Sequence, residues 1–585
     1  MTIHKEGDTT ENPPLPDPTA TVLSAEERQP TDPWVFGIAA GLVVAFIVWG
    51  AVSVESLSNV SSAVLSGVMN AGGWAFVLVA SGFVVFTLWL AFSNYGKIPL
   101  GRDDEEPEFR TVSWVAMMFS AGMGIGLMFY GVSEPLSHFT NPPPGTVPPG
   151  SPEALDVAMA TTLFHWTLHP WAIYAVVGLA IAYSTFRRGR RSLISSAFAP
   201  LLGERRTQGA FGRAVDILAI FATLFGSAAS LGLGALQIGA GLQANGWGEA
   251  PLALLIAIIA VLTIAFVASA VSGVAKGIQW LSNINMVLAA ILAVFVFVAG
   301  PTILILNLIP TAIGDYFGNM AQMAARTAAT GGDATAEWLS GWTVFYWAWW
   351  ISWTPFVGMF IARISRGRTI KQFVVGVLLI PSLVSLIWFA IFGGAAINLQ
   401  RSGTDLASQS LEAQLFGLLH SMPLGGLLSV VAMLLVAIFF VSGADAASVV
   451  TGTLSQRGSI EPSRPVVIFW GVVMGAIAAI MLAIGAAQAG AEEEDAALTG
   501  IRDITIISAA PFAIVMVALC VALAKDLHHD PLMRRDRRAV AAVEQAVEHG
   551  TKTYGDEFVV AVKPHPDAAA DGSAPETEKK KDDEA

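Results

Sequence analysis

One cysteine, Cys520, is all the thiol this chain of 585 residues carries. That excludes an intramolecular disulfide and a cysteine-built metal site. Charge is scarce too, at 13% of residues, and a soluble fold of this size needs more polar surface than that to face water. In its place stand apolar residues, 54% of the chain at a mean hydropathy of +0.61. They come in repeated runs of about 20 residues, the length that crosses a bilayer. An N-terminal targeting signal is absent as well: residues 1–33 are polar, with prolines at 13, 14, 16 and 18 and no basic segment leading into an apolar core. They read as a disordered cytoplasmic tail. The net charge of −13 comes from acids in tails and loops and does not point to nucleic acid.

The hydropathy pattern predicts an all-α polytopic membrane protein with about twelve spans, near 34–54, 73–94, 112–132, 158–186, 213–243, 252–271, 282–300, 340–361, 372–396, 426–454, 465–488 and 504–524. An even number places both termini on one side. Alternate loops hold seventeen lysines and arginines, among them Arg187, Arg188, Arg190, Arg191, Arg363, Arg366 and Arg368, against only Arg326, Arg401 and Arg502 in the others. Both tails are therefore expected in the cytoplasm of a cell-membrane protein. Residues 133–157, with the run NPPPGTVPPG, read as an ordered outer loop, and 308–339 as an amphipathic helix along the interface. After Lys525 a basic helical stretch, 533–549, precedes a low-complexity end.

Chemistry concentrates in four places. The run WTVFYWAWWISWTPFVGMFIARISRGR (342–368) holds five tryptophans within twelve residues and then four basic residues by Lys371. Pro355 is expected to interrupt its helix and free backbone carbonyls. A second aromatic cluster, FHWTLHPWAIY (164–174), sets Trp166, Trp171 and Tyr174 around Pro170. Large side chains that merely pack, or an interfacial belt, account for one such cluster but not for two. Aromatic faces attract alkylated ammonium groups, which cannot form ordinary hydrogen bonds. His165 and His169 of the same run lack a third ligand or a nearby carboxylate in sequence, so no transition metal is expected. The third place, AGMGIGLMFYG (121–131), reads either as close helix packing through Gly122 and Gly126 or as an unwound mid-membrane segment around Gly124. The fourth pairs TLFGS (223–227), leading to Ser230, with FFVSGADAAS (439–448). Hydroxyls inside spans usually bond back to their own helix, but beside unwound backbone they complete a shell for a hard cation. No ring of charges lines a channel, and no convergent acid–base set suggests an enzyme.

These motifs, with SLGLGALQIGAGL (230–242), resemble the betaine/choline/carnitine transporter family, and within it the sodium-coupled glycine betaine branch of actinobacteria. The resemblance runs from about residue 72 to 525 and leaves the tails unmatched. It implies a LeuT-like inverted five-helix repeat, spans 3–7 and 8–12, after two leading helices. The corresponding segments are 34–94, 112–300 and 340–525, with 301–339 between the repeats and 526–585 as the cytoplasmic tail. It also implies a homotrimer, alternating access, a small zwitterionic solute, sodium as coupling ion and no other cofactor, with anionic lipids as neighbours of the tails.

Matching motifs place the ammonium box at Trp166, Trp171, Tyr174 and Trp350, with Trp349, Trp353, Gly122, Gly124, Gly126 and Ser230 around it. One sodium site falls at the Ser120, Met123 and Phe439 carbonyls with the Ser442 hydroxyl, and another at Thr223, Ser227 and the ring of Phe356. Where sodium-coupled members often read T-S-A-D, this chain has Ser442, Gly443, Ala444 and Asp445, so one hydroxyl ligand is missing. Proton-linked choline carriers tend to carry Asp at the place of Gly126. An uncharged glycine segment favours a zwitterion, which brings its own carboxylate. The acidic end of the tail departs from the basic tail of the osmotically activated carriers.

Overall fold

A computed structural model describes residues 29–122, 124–272, 275–489 and 496–561, with side chains placed for all of these but 119–122, 270–272, 275–282, 330, 489, 496 and 497. The N-terminal tail before residue 29 and the low-complexity end after 561, both expected to be disordered, lie outside the described residues. The described chain is helical throughout, and its only β pairing is an isolated bridge between Pro99 and Thr369.

Two leading helices, α1 (Pro33–Val52) and α2 (Val54–Phe92), precede a pair of helices each split in two. The first pair of halves is α3 (Thr111–Gly122) and α4 (Ile125–Thr140), the second α5 (Pro152–Trp166) and α6 (Leu168–Ala182). Long helices α7 (Ala210–Ala244), α8 (Leu252–Ser272) and α9 (Ala275–Ala299) follow. After α10 (Thr302–Ala324) come α11 (Phe345–Ile364), α12 (Ile370–Arg401), α13 (Gly425–Ser455), α14 (Arg464–Ala489) and α15 (Ala496–His528). Among the described residues nine helices are long and apolar enough to cross a membrane, or ten if a bent pair counts as one span, with α5 and α6 forming one of them. The split pair α3–α4 and the tryptophan-rich α11 bring the total to about twelve, so the chain is a multi-pass membrane protein. The described residues after Lys525 form a separate compact unit containing α16 (Pro531–Tyr554), whose first turn is capped by the Asp530 side chain.

Local chemistry sets where these helices begin and end. The Asp32 side chain caps α1 by accepting from the amides of Trp34 and Val35, and Arg213 and Arg457 each lie 3.4 Å from its second oxygen. Burial pushes this carboxyl up, but the two amides and the two guanidinium groups outweigh it and hold it below the usual aspartate range. A capping box starts α12, with Thr369 and Gln372 satisfying each other's backbone amides.

Three expectations from the sequence need correction. Helix α4 continues to Thr140 and α5 starts at Pro152, so the outer proline-rich loop is confined to 141–151. The stretch 308–339 is not one helix: α10 ends at Ala324, and a separate short helix spans Gly332–Leu339. The axis turns by 108° between α9 and α10, which sends α10 off the direction of the span before it. Finally, Pro355 does not break α11, which runs unbroken from Phe345 to Ile364. Proline removes the donor that the Ile351 carbonyl would take, and the Thr354 hydroxyl replaces it at 2.6 Å.

Helix α11 packs against both α6 and α7 and is the axis of the core. Its crossing with α6 depends on a missing side chain: a Cβ on Gly358 would stand 2.8 Å from Val177 and 3.1 Å from the Gly178 amide. That close approach brings the two aromatic clusters face to face, since Trp166 and Trp171 flank the start of α6 and Trp350 lies two turns before Gly358.

Candidate functional site

Two helix interruptions open the backbone beside the aromatic clusters. Between α3 and α4, Gly124 is fully extended (φ −172°, ψ −178°), so the glycine segment is unwound rather than simply packed. Gly126 nevertheless does pack, for a Cβ there would come within 2.8 Å of both Trp166 and Trp349. Between α5 and α6 the interruption sits at Thr167 (φ −116°, ψ −110°), three residues before Pro170. The proline supplies no amide for the carbonyl of Trp166, while the Thr167 hydroxyl turns back to Leu163 at 2.6 Å.

The predicted box residues converge. Trp166 meets Trp350 edge-on with centroids 4.9 Å apart, Trp171 meets Tyr174 at 5.3 Å, and Tyr174 lies 6.3 Å from Trp350. Trp349 stacks on Trp350 at 4.7 Å, and Trp353 stands edge-on to Trp349 at 6.3 Å. These rings, with Gly124, Gly126, Leu127, Pro170, Val357 and Ser385, line a cavity of about 50 Å³. That is room for a few waters, so the rings must part to admit anything larger.

Four of the five indole N–H groups in the box reach a partner on another element. Trp350 donates to the His165 carbonyl (3.0 Å), Trp349 to the Ser230 hydroxyl (3.2 Å) and Trp353 to the Gly226 carbonyl (2.9 Å). Trp166 donates to Glu134 at 2.6 Å. Trp388 and Gln237, from α12 and α7, bind the Leu127 and Met128 carbonyls in the first turn of α4, both at 2.9 Å. Ring orientation is thus fixed by bonds between helices as well as by packing.

Sequence reasoning missed Glu134. It is fully buried, and its Oε2 accepts from Trp166 and from the Tyr346 hydroxyl (2.5 Å). Its Oε1 lies 2.6 Å from His165 Nδ1, and His165 Nε2 in turn meets the Thr343 hydroxyl at 2.9 Å. His138 Nε2 stands 3.5 Å from the same Oε1. The statement that the histidine pair lacks a nearby carboxylate is therefore corrected, because α4 supplies one 31 residues upstream of His165. Glu134, His138 and His165 hold their ligand atoms within 4.8 Å of one another. His169 does not join them and stacks instead on Trp347 at 5.0 Å. Only spacing on α4 carried a signal: Glu134 and His138 share a helix face four residues apart, an unusual pair inside an apolar span.

The proposed ion ligands are less gathered. Met123 lies outside the described residues, as do the side chains of Ser120 and Gly122. Ser442 donates to the Ile438 carbonyl at 2.8 Å and Thr223 to the Ala219 carbonyl at 2.8 Å. Each keeps its oxygen lone pairs. Ser227 is buried one residue after Gly226, whose carbonyl takes the Trp353 N–H, and Phe356 meets Trp353 edge-on at 5.7 Å. Phe439, with its carbonyl 3.3 Å from the Ser442 hydroxyl, stays within α13.

The betaine/carnitine/choline transporter family model matches residues 34–532. The chain belongs to that family. It is 46% identical to a betaine/ectoine transporter, LcoP, of Corynebacterium glutamicum over 94% of this chain and 86% of that protein. It is 44% identical to the glycine betaine transporter OpuD of Bacillus subtilis over 87% of this chain and 96% of the other. A solved structure titled as the substrate-bound outward-open state of a Na+-coupled sialic acid symporter aligns with 78% of this chain and 81% of its own, at 15% identity and a TM-score of 0.30. For a family of transporters, a ring-lined cavity beside two interrupted helices is the natural place for cargo.

Proposed function

We propose that this chain is a secondary active symporter that imports glycine betaine or a related compatible solute down a sodium gradient by alternating access. The observation that carries the reading is the convergence of Trp166, Trp171, Tyr174 and Trp350 on one cavity between unwound segments. Each aromatic face offers a methylated ammonium about 0.5–2 kcal/mol, more as water is excluded. The extended backbone at Gly124 gives the solute's carboxylate and the coupling ion polar main chain in place of a charged side chain.

Sodium coupling rests on the hydroxyls. Ser442 and Thr223 spend their protons on their own helices and keep lone pairs for a cation. Gly443 leaves open space, since a Cβ there would meet nothing within 4 Å. That space leaves room for a water to stand in for the missing hydroxyl. The inverted repeat and the trimer belong to the same reading, as does the orientation with basic loops and both termini in the cytoplasm. A broader osmolyte range, including ectoine, is favoured by the similarity to the betaine/ectoine transporter of Corynebacterium glutamicum.

The deciding experiment is uptake of labelled glycine betaine, and separately of ectoine, into proteoliposomes under an inward sodium gradient, a proton gradient or neither. Sodium-dependent accumulation is expected. Uptake driven by protons alone, or by exchange without either gradient, overturns the ion assignment, and absence of betaine uptake overturns the substrate.

A further inference from the structure

The ammonium box has a hub outside its own walls. Glu134 belongs to α4 and does not line the cavity, yet it binds Trp166 of α5 and Tyr346 of α11 through one oxygen, and His165 through the other. Both partners are box components or their direct supports. Trp166 is a wall, and Tyr346 stacks on Trp350 with ring planes 17° apart and centroids at 5.8 Å. His165 adds a further link, because its carbonyl holds the Trp350 N–H. Two adjoining walls of the box, contributed by different helices, are thus referred to one buried side chain.

We infer that Glu134 is a positioning residue that sets the selectivity of the box for methylated ammonium groups. This rests on the solute reading above. Geometry gives the reason. A cation over an indole gains from the ring's negative face only when several faces are held at the right angles, and a bond through the N–H fixes the angle at which Trp166 meets Trp350, now 72°. A carboxyl oxygen accepting from that N–H also leaves more electron density on the ring, which deepens its attraction for a cation. Tyr346, held by the same oxygen, cannot rotate away from Trp350 without depriving Glu134 Oε2 of a donor. Solutes that rely on ordinary hydrogen bonds, such as ectoine or proline, draw little from this arrangement.

The test is a double-mutant cycle on the full-length carrier in proteoliposomes, with glycine betaine and ectoine as paired substrates. Glu134→Gln keeps the size of the side chain but leaves a single amide acceptor in place of the two carboxyl oxygens, and Trp166→Phe keeps an aromatic ring but removes the indole N–H. Each is expected to raise KM for glycine betaine by roughly tenfold, the scale of one charge-assisted bond, with a much smaller change for ectoine. The double variant should be no worse than the poorer single one, because both act on the same link. Tyr346→Phe, which loses only the hydroxyl, should reproduce part of the effect. Strictly multiplicative losses, or equal losses for both substrates carried in maximal rate, would mean a merely structural Glu134 and overturn the inference. Unchanged kinetics in a well-folded Glu134→Gln carrier would do the same. If the unmodified carrier takes up no glycine betaine, the solute reading itself fails, and that control separates the two failures.

Discussion

The aromatic box and the hydroxyl-bearing segments of α7 and α13 differ in where their hydrogen bonds go. In the box, the indole N–H groups of Trp166, Trp350, Trp349 and Trp353 each cross to another element, to Glu134, His165, Ser230 and Gly226. In the hydroxyl segments, Thr223, Ser442 and Ser448 return to carbonyls four residues back on their own helices. A bond between helices fixes relative position, whereas one within a helix leaves the helix free to shift as a body. The box walls are therefore linked across helices and part only together, whereas the hydroxyls of α7 and α13 move with their own helices. On the reading proposed above, solute recognition depends on the links between helices and ion recognition on movement of whole helices.

That contrast can be broken at its firm end first. Trp350→Leu removes a stacked wall and the bond to His165. It should weaken glycine betaine uptake by about ten- to thirtyfold in KM, one cation–π face, and proline uptake far less. Uptake kinetics for both solutes check this, and equal losses would remove the cage interpretation. A smaller effect is expected from Gly126→Ala, whose new methyl would stand 2.8 Å from Trp166 and Trp349. Crowding of that kind costs about 1–3 kcal/mol, so denaturation midpoints should fall and KM should rise for every solute alike. Smallest for stability is Ser442→Ala, which gives up one bond within a helix at about 1 kcal/mol or less. Here the sharp readout is the sodium concentration for half-maximal uptake, expected to rise several-fold while betaine affinity at saturating sodium stays close to that of the unmodified carrier.

Much of this architecture is legible in the sequence, for definite reasons. Apolar runs have to become spanning helices because lipid offers no partner to an open backbone, and two tryptophan clusters on different spans are too costly to be mere filler. Thr167 was not legible: neither a glycine nor a proline, it marks an interruption that Pro170 causes from three residues further on. Pro355 misled in the opposite direction, since a neighbouring threonine hydroxyl repairs the bond that the proline removes. Glu134 was hidden because its partners are 31, 32 and 212 residues away. No local pattern brings such positions together, and only the packing of α4, α5 and α11 does.

The extended residue between α3 and α4 has an electrical consequence. Two half-helices meet there with unlike poles, the carbonyl end of Thr111–Gly122 facing the amide end of Ile125–Thr140. Such poles amount to about half a charge each, of opposite sign. The gap thus offers an electron-rich and an electron-poor face without any ionised group, a template for cargo whose own charges cancel. Moving cargo of zero net charge through such a gap transfers no charge across the membrane, whereas each accompanying cation gains or loses about 2.3 kcal/mol per 100 mV. Under the proposed sodium coupling, voltage acts on the ion alone, and the solute travels electrically silent.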